Sequence, residues 1–411
     1  MDLTNSSYSA FIEGREPGVP DTPDVTIVMP CLNEIESLPH CIGNALDALA
    51  GMRTQLGLSG EIVIADNGST DGSQALATEL GARVVPVEAR GYGAALIGGC
   101  TGAAGRYIVM GDCDGSYNFT EGVAMVAKLE EGYDLCMGNR FKGGIEPGAM
   151  PWKNKHIGNP GLTGVLNILF RSGIGDAHCG LRAIRKECFE RLNLSGSGME
   201  FASEMVIKAA LLKVNMTEVP ATLSQDLRDR APHLRPWRDG WRHLRYLFML
   251  SPTWVFGVPA MIALTLASII FGFGLAHYTG VLGGTSTFGV SWSVVAGFLA
   301  TCGHFGLIMA VATHFYGVNR GFRLMRPTLR KYGGWLTLET MLVSGIAVIA
   351  MSVIGLTTIA IGWGQNGFVA LENPLLLILS AAIGAIGVQN VLGGFMLAII
   401  AGNESQFVPK E

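Results

Sequence analysis

The chain has 411 residues, of which 49% are hydrophobic and only 15% are charged, whereas soluble domains carry about 25% charged residues. Residues 1–250 contain 23 of the 29 Lys and Arg residues and 29 of the 33 Asp and Glu residues, and no charged residue lies between Ser251 and Asn319. This distribution excludes both a wholly soluble protein and a wholly membrane-buried one. It predicts a soluble domain, large enough to form its own core, followed by a membrane domain.

The N-terminal half alternates apolar runs with helix-like segments. Residues 1–22 are predicted to be a disordered polar leader without a cleaved signal peptide. Strands are predicted at 25–30, 61–66, 82–87, 106–112 and 133–139, and helices near 36–50, 71–80, 91–103 and 120–131. The alternation predicts an α/β domain over residues 23–231, with a mostly parallel sheet between helices. Ligands of such sheets bind at the carboxyl ends of the strands.

Acidic residues follow two of these runs. Asp112 and Asp114 follow the fourth run at positions i and i+2, where their repulsion is unfavourable unless a cation offsets it. Mg²⁺ or Mn²⁺, held by these carboxylates and by diphosphate oxygens, is the predicted occupant; helix capping by one Asp, with the other solvated, is the alternative. Asp66 follows the second run and is expected to accept from a base N–H or a ribose hydroxyl. Together the three carboxylates predict a nucleotide-activated donor.

Other motifs narrow the class of protein. The segment RGYG, residues 90–93, opens a helix whose N–H groups are predicted to bind an anion. No GxGxxG motif follows the first strand and the sequence has no GxxxxGKS/T loop, which argues against a dinucleotide-dependent oxidoreductase and a P-loop NTPase. The eight cysteines include no CxxC pair, so free thiols are predicted rather than disulfides or a zinc site.

Residues 232–250 are predicted to form an amphipathic helix in the membrane interface. At helical spacing one stripe contains Trp237, Trp241, Leu244 and Phe248, and a second contains Arg235, Arg238, Arg242 and Arg245. Aromatic side chains suit the apolar side of the interface, and arginines suit lipid phosphates. A linker helix on the surface of the soluble domain is the alternative.

Four apolar stretches in residues 251–411, near 252–277, 289–315, 337–362 and 374–401, are each long enough to span a membrane as a helix. The link between the second and third contains five basic residues, Arg320, Arg323, Arg326, Arg330 and Lys331, whereas the other two links contain none. Because basic loops stay in the cytoplasm, we predict an integral protein of a bacterial-type inner membrane, with the soluble domain and both termini cytoplasmic.

Two further polar groups are expected to have structural roles. Glu204 and Lys208 are predicted to form a surface ion pair one helical turn apart; the alternative is that they and Glu200 orient sugar hydroxyls or the acceptor. Gln389 and Asn390 lie within the fourth apolar stretch. They are predicted to form hydrogen bonds between helices; a lipid-headgroup site is the alternative.

Seven motifs in residues 24–250 resemble those of glycosyltransferase family two, whose domain has the GT-A fold. In order they are VMPCLNE, VIADNGSTDGS, ARGYGAAL, GDCDG, MGNRF, DAHCGLRAIRKE and GMEFASEMVIKA. They are most similar to the polyprenyl-phosphate sugar synthases, which include dolichol-phosphate mannose synthases and bacterial relatives acting on undecaprenyl phosphate. The resemblance implies an inverting enzyme that transfers one sugar, glucose or mannose, from a UDP- or GDP-hexose to polyprenyl phosphate on the cytoplasmic leaflet.

The resemblance and the motifs together give the expected site. The residues expected to bind the nucleotide are Pro30, Leu32, Asn33, Glu34, Asp66, Asn67, Gly91, Tyr92, Gly93 and Asp112. Asp112 and Asp114 match the metal pair, and the expected catalytic set adds Arg140, Asp176 and Arg182. Arg140, Arg228 and Arg230 are expected to contact the acceptor phosphate. The expected partners are the nucleotide sugar, the lipid and the membrane, with no nucleic acid; a homo-oligomer is left open.

Three positions depart from the family pattern. Asn67 stands where a second acid is usual, Tyr92 where a lysine is frequent, and GSYNF after the metal pair lacks a glutamine that often completes the metal shell. The Gln-x-x-Arg-Trp motif of cellulose and hyaluronan synthases is absent, because Trp237 follows Pro236. Its absence argues against a processive polysaccharide synthase, which stays open as one alternative. The other is a non-catalytic membrane scaffold with a degenerate transferase domain.

Overall fold

The computed structural model describes residues 22–228, 236–283, 288–371 and 373–407, and only the backbone of residues 236–239. The chain forms two compact units, Met1–Leu247 and Phe248–Glu411. Most of the predicted leader, residues 1–21, lies outside the described residues. The first unit contains the α/β elements and the second contains the long apolar helices.

The first unit is built on an eight-stranded sheet with the order β3-β2-β1-β4-β7-β5-β8-β6. The strands are β1 (Val25–Cys31), β2 (Gly60–Asp66), β3 (Arg83–Pro86), β4 (Tyr107–Met110), β5 (Leu135–Asn139), β6 (Gly144–Ile145), β7 (Arg182–Arg185) and β8 (Met216–Leu223). Strand β7 is antiparallel to β4 and β5, and the other neighbours are parallel. The predicted mostly parallel α/β sheet is confirmed.

Nine α-helices of the described residues begin in the first unit. They are α1 (Leu38–Leu56), α2 (Ser73–Glu79), α3 (Tyr92–Thr101), α4 (Gly122–Glu130), α5 (Arg140–Gly143), α6 (Asn159–Phe170), α7 (Lys186–Leu192), α8 (Phe201–Leu211) and α9 (Pro236–Met249). Ile42 and Leu49 of α1 belong to the same buried cluster as Ile27 and Ile64 of the sheet. In the register of β1 and β2, Cys31 lies opposite Asp66, so the motifs that follow these strands meet at one edge.

The described part of the second unit contains four helices that are long and apolar enough to cross a membrane, at Thr253–Tyr278, Val290–Asn319, Leu338–Gln365 and Leu375–Ile400. Its α-helices are α10 (Val258–Tyr278), α11 (Val290–Asn319), α12 (Pro327–Tyr332), α13 (Leu338–Gln365) and α14 (Leu375–Ile400). The four predicted stretches thus form helices, each with a boundary within a few residues of the predicted one. The basic link coincides with α12 and the residues before it.

Polar residues join the apolar helices of the second unit. The Oε1 atom of Gln389 in α14 lies 3.0 Å from Nδ1 of His304 in α11. The amide of Asn390 donates to Oγ of Ser344 in α13 at 2.8 Å. Both predicted interhelical hydrogen bonds are therefore present, which is the arrangement expected for polar side chains inside an apolar bundle.

All eight cysteines are free thiols, as predicted. Seven of them are buried in the first unit, and only Cys302, in α11, is exposed. Burial raises the pKa of the Cys136 and Cys179 thiols to about 12. These thiols are therefore protonated near neutral pH and behave as apolar core residues.

Candidate active site

A cavity of about 410 Å³ opens where β1, β2 and β4 end. The expected site residues that line it are Pro30, Leu32, Glu34, Asn67, Gly91, Tyr92, Asp112, Asp114 and Arg228. Cys31, Arg90, Ala95, Cys113, Gly198, Met199 and Arg242 complete the lining. Most of the expected nucleotide-binding residues thus share one pocket with the predicted metal pair.

The turn after β2 is held together by its own side chains. Asp66 is buried, and its carboxylate accepts hydrogen bonds from the N–H groups of Gly68 and Ser69 and from the amide of Gln74, the last at 2.6 Å. Among the described residues Asp66 is not part of the cavity lining. Its observed contacts therefore shape the turn, and its expected contact with a nucleotide stays a prediction.

Asn67 links this turn to the segment that precedes α3. Its amide N–H groups donate to the carbonyl oxygens of Val87 and Ala89 at 3.0 and 2.7 Å, and its Oδ1 accepts from Gly91 N at 2.8 Å. A carboxylate could not donate to either carbonyl. This geometry explains why an amide, rather than the usual acid, occupies position 67.

The glycines of the RGYG motif are required by a close approach of the chain. A Cβ atom at Gly91 would lie 2.2 Å from Ser197 O, and one at Gly93 would lie 2.1 Å from Gly196 O. Ala94 N at the start of α3 donates to Ser197 O. The loop before α8 therefore covers part of this helix N-terminus, and at least one N–H group predicted to bind an anion already has a protein partner.

That loop is fixed by a buried ion pair. Glu204 Oε1 lies 2.7 Å from Lys208 Nζ, and Glu204 also accepts from the N–H groups of Ser195 and Gly196. Burial raises the pKa of Glu204, but Lys208 and the N–H groups outweigh this effect and hold it below its usual value. The predicted pair forms, but its predicted surface location is wrong, because both side chains are buried against the loop.

The predicted metal pair lies in the cavity, and each carboxylate has a donor. Tyr92 Oη donates to Asp112 Oδ1 at 2.7 Å, and Ser116 N and Oγ donate to Asp114 Oδ1 at 3.0 and 2.6 Å. Arg228 Nη2 lies 2.6 Å from Asp114 Oδ2. Burial and the charge of Asp114 raise the pKa of Asp112 to about 6. A pair of acids with this repulsion fits a divalent cation.

In the described part of the chain, no group of three or more His, Cys, Asp or Glu side chains is placed to hold a metal ion. The protein thus offers two carboxylates, and oxygens of a bound diphosphate would have to complete the shell, as Mg²⁺ sites commonly require. The residues therefore fit a divalent ion that is coordinated by both the protein and the nucleotide.

The first motif packs against the turn after β2. Asn33 has a positive φ of 58°, and its Oδ1 accepts from Thr70 N at 2.8 Å. Glu34 is largely buried, and its Oε1 lies 3.4 Å from Nη1 of Arg228. Arg228 therefore contacts two acidic residues from different strand ends and lies at the centre of the charged side of the cavity.

Arg140, Asp176 and Arg182 lie elsewhere in the first unit. Arg140 binds Asp176 through two guanidinium nitrogens at 2.7 and 2.8 Å, and both side chains are buried. Arg182 is also buried, and donates to the carbonyl oxygens of Ala177, Cys179 and Ala202. None of the three lines the cavity in the described residues. Their observed role is to hold the 176–182 segment, and Arg230 lies outside the described residues.

Helix α9 contacts the α/β domain through one face. His243 and Leu247 are buried, and Nδ1 of His243 lies 2.8 Å from Ser203 Oγ of α8. Trp241 and Phe248 are 63% and 43% exposed, so these members of the predicted aromatic stripe point away from the protein. The side chains of Trp237 and Arg238, and all of Arg235, lie outside the described residues.

Comparisons with known proteins match both units. The family "Glycosyl transferase family 2" matches residues 26–192, and "Glycosyltransferase family 2 C-terminal transmembrane region" matches residues 311–401. The low-salt glycan biosynthesis hexosyltransferase Agl6 of Haloferax volcanii is 32% identical over 383 residues, which cover 91% of this chain and 88% of the relative. The chain belongs to glycosyltransferase family 2. It is therefore a glycosyltransferase and, with its transmembrane region, an integral membrane protein.

Two further relatives of this family 2 glycosyltransferase are informative. A dolichyl-phosphate hexose transferase of Haloferax volcanii is 26% identical and covers 48% of this chain and 81% of its own length. A polyprenol monophosphomannose synthase of Mycolicibacterium smegmatis is 29% identical and covers 52% of this chain and 82% of its own length. Each of these matches covers about half of this chain.

Two residues with defined contacts escape the sequence patterns, one in the cavity and one beside Asp176. Arg242 of α9 lines the cavity, although its spacing suggested only a contact with lipid phosphates. Glu218 of β8 accepts from the N–H groups of Gly175 and Asp176 at 2.7 and 3.0 Å, and so fixes the segment that carries Asp176. Glu218 follows no strand end and belongs to no motif, so only the fold reveals this role.

Proposed function

We propose that the protein transfers a single hexose from a nucleoside diphosphate donor to a polyprenyl phosphate. The observation that carries this proposal is the cavity in which the Asp112–Asp114 pair faces Arg228. The two carboxylates of this cavity could hold a metal ion bound to the donor diphosphate, and the guanidinium of Arg228 could bind a second anion. The two polyprenol-related relatives support a lipid phosphate as the acceptor.

The reaction follows from the charges. An oxygen of the acceptor phosphate, already anionic at neutral pH, attacks the anomeric carbon and forms the new C–O bond. The bond from that carbon to the donor diphosphate breaks, and its electron pair leaves with the nucleoside diphosphate. No strong general base is needed, so the protein contributes mainly positioning and charge stabilisation. Mg²⁺ or Mn²⁺ on Asp112 and Asp114 would neutralise charge on the leaving diphosphate.

Tyr92 and Ser116 orient the two carboxylates. Each donates a hydrogen bond to one oxygen of its partner, at 2.7 Å from Tyr92 to Asp112 and at 2.6 Å from Ser116 to Asp114. The second oxygen of Asp114 accepts from Nη2 of Arg228. Arg228, whose planar guanidinium can bind phosphate through two N–H groups, is proposed as the first contact of an incoming phosphate.

The surface of the α/β domain supports a lipid acceptor. Trp152, Ile157 and Ile168 lie in or next to α6 and are 66%, 62% and 64% exposed. Lys153 accompanies them in sequence. Apolar and basic side chains together are typical of surfaces that contact a membrane interface. With the exposed Trp241 of α9, they are proposed to face the bilayer in which the acceptor tail resides.

We propose that this domain faces the cytoplasm. The basic residues of the second unit are concentrated in the link 320–331, between the second and third spans, and such loops stay on the cytoplasmic side. An even number of spans then leaves the α/β domain on the same side as that link.

Purified full-length protein in lipid nanodiscs tests the proposal. The protein is incubated with UDP- and GDP-hexoses, polyprenyl phosphate and Mg²⁺ or Mn²⁺, and the lipid fraction is analysed by mass spectrometry. A product with one added hexose is expected, and the Asp114→Asn variant serves as the inactive control. Many hexoses on each acceptor would identify a processive synthase instead. No product with any donor, together with undetectable nucleotide binding, would identify a non-catalytic scaffold.

A further inference from the structure

The second unit contains two neighbouring arginines, Arg323 and Arg326, with His314 and Thr253 beside them. We call these four residues the Arg323 cluster. Arg323 is 8% exposed, and one of its guanidinium nitrogens, Nη2, donates to the carbonyl oxygen of Leu250. Its Nε is buried and has no hydrogen-bond partner. A buried guanidinium with an unsatisfied donor is unfavourable unless another group, such as an anion, compensates it.

Arg326 lies beside this guanidinium. Its Nη2 donates to Thr253 Oγ1, and its backbone N–H donates to Nε2 of His314 at 3.3 Å. Burial and the neighbouring charge of Arg326 lower the pKa of Arg323 to about 10. The two arginines therefore repel each other, and this repulsion would be relieved by a negative group between them.

The protein supplies no such negative group in the described part of the chain. None of its carboxylates there forms an ion pair with Arg323 or Arg326. The sequence shows why: no Asp or Glu occurs between Asp239 and Glu339. The anion that balances the cluster must therefore come from outside this stretch of the chain.

The position of the cluster indicates which anion this is. Thr253 begins the first membrane-spanning segment, and Arg323 follows the second, which ends at Asn319. The ends of membrane-spanning helices lie at the depth of lipid headgroups, where basic pockets bind lipid phosphates. Gly317 leaves room for the guanidinium, because a Cβ atom there would lie 3.3 Å from Arg323 Nε and 3.0 Å from the ring of Phe322.

We propose that the Arg323 cluster is a second phosphate site, built from residues of the second unit, that binds the headgroup of a phosphate-bearing lipid. The chemistry is that of two guanidinium groups and one hydroxyl around a phosphate. The lipid is either an anionic membrane phospholipid or a polyprenyl phosphate. The site does not depend on the transferase reaction, so it stands or falls independently of the proposed function.

Lipid retention by the purified full-length protein tests this site. Detergent-solubilised protein is mixed with phosphatidylcholine, phosphatidylglycerol or polyprenyl phosphate, and bound lipid is counted by native mass spectrometry. Arg326→Gln is the main variant, because Arg326 is exposed and its replacement should not impair folding; Arg323→Gln is the second. Arg320→Gln is the matched control, since Arg320 carries the same charge in the same link but lies over the ring of Tyr316.

Wild-type protein is expected to retain phosphatidylglycerol or polyprenyl phosphate in preference to phosphatidylcholine. Arg326→Gln should weaken this retention roughly tenfold, the usual effect of losing one charge-assisted hydrogen bond, and Arg320→Gln should not change it. Retention of both anionic lipids would identify a site for membrane phospholipids in general, and retention of polyprenyl phosphate alone would identify a site selective for that lipid. Equal losses in Arg326→Gln and Arg320→Gln, or no loss in either arginine variant of the cluster, would overturn the proposal.

Discussion

Arg228 places its Nη2 atom 2.6 Å from Oδ2 of Asp114, so a guanidinium cation lies against the second carboxylate of the proposed metal pair. The same side chain reaches Glu34 and Asp226 at 3.4 and 3.1 Å. Without a nucleotide, Arg228 thus offsets part of the negative charge of the cavity. A divalent cation on Asp114 would compete with it, and the displaced guanidinium would be free to bind an incoming phosphate.

Replacing Arg228 by Ala should therefore change two measurements in opposite directions. Mn²⁺ binding to the nucleotide-free protein, followed by electron paramagnetic resonance, should become several-fold tighter, because a competing cation is removed. Turnover should fall at least ~10-fold, because a charge-assisted phosphate contact is lost. Arg228→Lys retains the charge but not the planar guanidinium. Its Mn²⁺ affinity and its turnover should lie between those of the wild type and those of Arg228→Ala. Weaker Mn²⁺ binding in Arg228→Ala would contradict this competition.

Asp112→Asn and Asp114→Asn should each lower turnover at least ~100-fold, the effect of removing one strong electrostatic stabiliser. EDTA should abolish the activity of the wild type, and added Mg²⁺ or Mn²⁺ should restore it. Both asparagine variants should fold normally, because an amide can still accept from Tyr92 or Ser116. Full activity in EDTA would contradict the metal assignment.

The main effect of Arg140→Ala should be a lower stability of the folded protein, rather than weaker binding of the lipid acceptor. Burial raises the pKa of Asp176, but the hydrogen bonds and charge of Arg140 outweigh this and hold it below its usual value. Removing one partner of such a buried pair costs about 3–5 kcal/mol. Because the pKa of Asp176 is lowered on folding, the pair stabilises the protein above about pH 4, and this contribution is lost as the pH falls further.

Thermal unfolding of Arg140→Ala, Asp176→Ala and the double variant measures this pair. The double variant should be less destabilised than the sum of the single variants, because neither charge is then left buried alone. An unchanged melting temperature in Arg140→Ala, together with a raised requirement for lipid acceptor, would instead assign Arg140 to direct contact with the acceptor.

Asn67→Asp should impair the protein even though it restores the acid that is usual in the family. The new carboxylate would face the carbonyl oxygens of Val87 and Ala89, which now accept from the Asn67 amide. Leaving these contacts unmade costs about 1–3 kcal/mol, and we expect weaker nucleotide binding, measured by calorimetry. Asn67→Ser is a suitable control, since it removes the amide without adding a charge. Tighter nucleotide binding by Asn67→Asp would show that position 67 contacts the nucleotide directly.

The orientation of the membrane unit can be measured with single cysteines. A cysteine introduced between Arg320 and Lys331 should be protected from impermeant reagents in whole cells, whereas one at Gly283 should react. Permeabilised cells, in which both positions should react, provide the control. The opposite pattern would place the α/β domain outside, where nucleotide sugars are absent.

The sequence allowed the first five strands to be predicted because each is a short apolar run ended by turn residues. It did not reveal β7, whose central Ala183 and Ile184 lie between Arg182 and Arg185, or β8, which contains Pro220. The same limit applies to the site. The Asp112–Asp114 pair is visible as a local spacing, whereas the partner of Arg140 lies 36 residues away at Asp176. Contacts of this kind depend on strand order, which local patterns do not encode.

The spacing of two residues along a helix predicts whether they contact each other better than it predicts whether they are buried. Glu204 and Lys208 are one turn apart, and they do pair. Their burial depends on the loop of Ser195 and Gly196, whose N–H groups bind the same carboxylate. Helical periodicity contains no information about which loop covers a helix face, so the surface location was the natural but wrong prediction.

The burial of the native thiols has a practical value. The seven cysteines of the first unit are buried, and the exposed Cys302 lies within the helix Val290–Asn319, where lipid would shield it from water-soluble maleimides. An introduced cysteine should therefore be the dominant reactive thiol in the wild-type background. Spectroscopic probes could then be attached near the cavity or the Arg323 cluster without a cysteine-free variant, and the packing of the native core would stay intact.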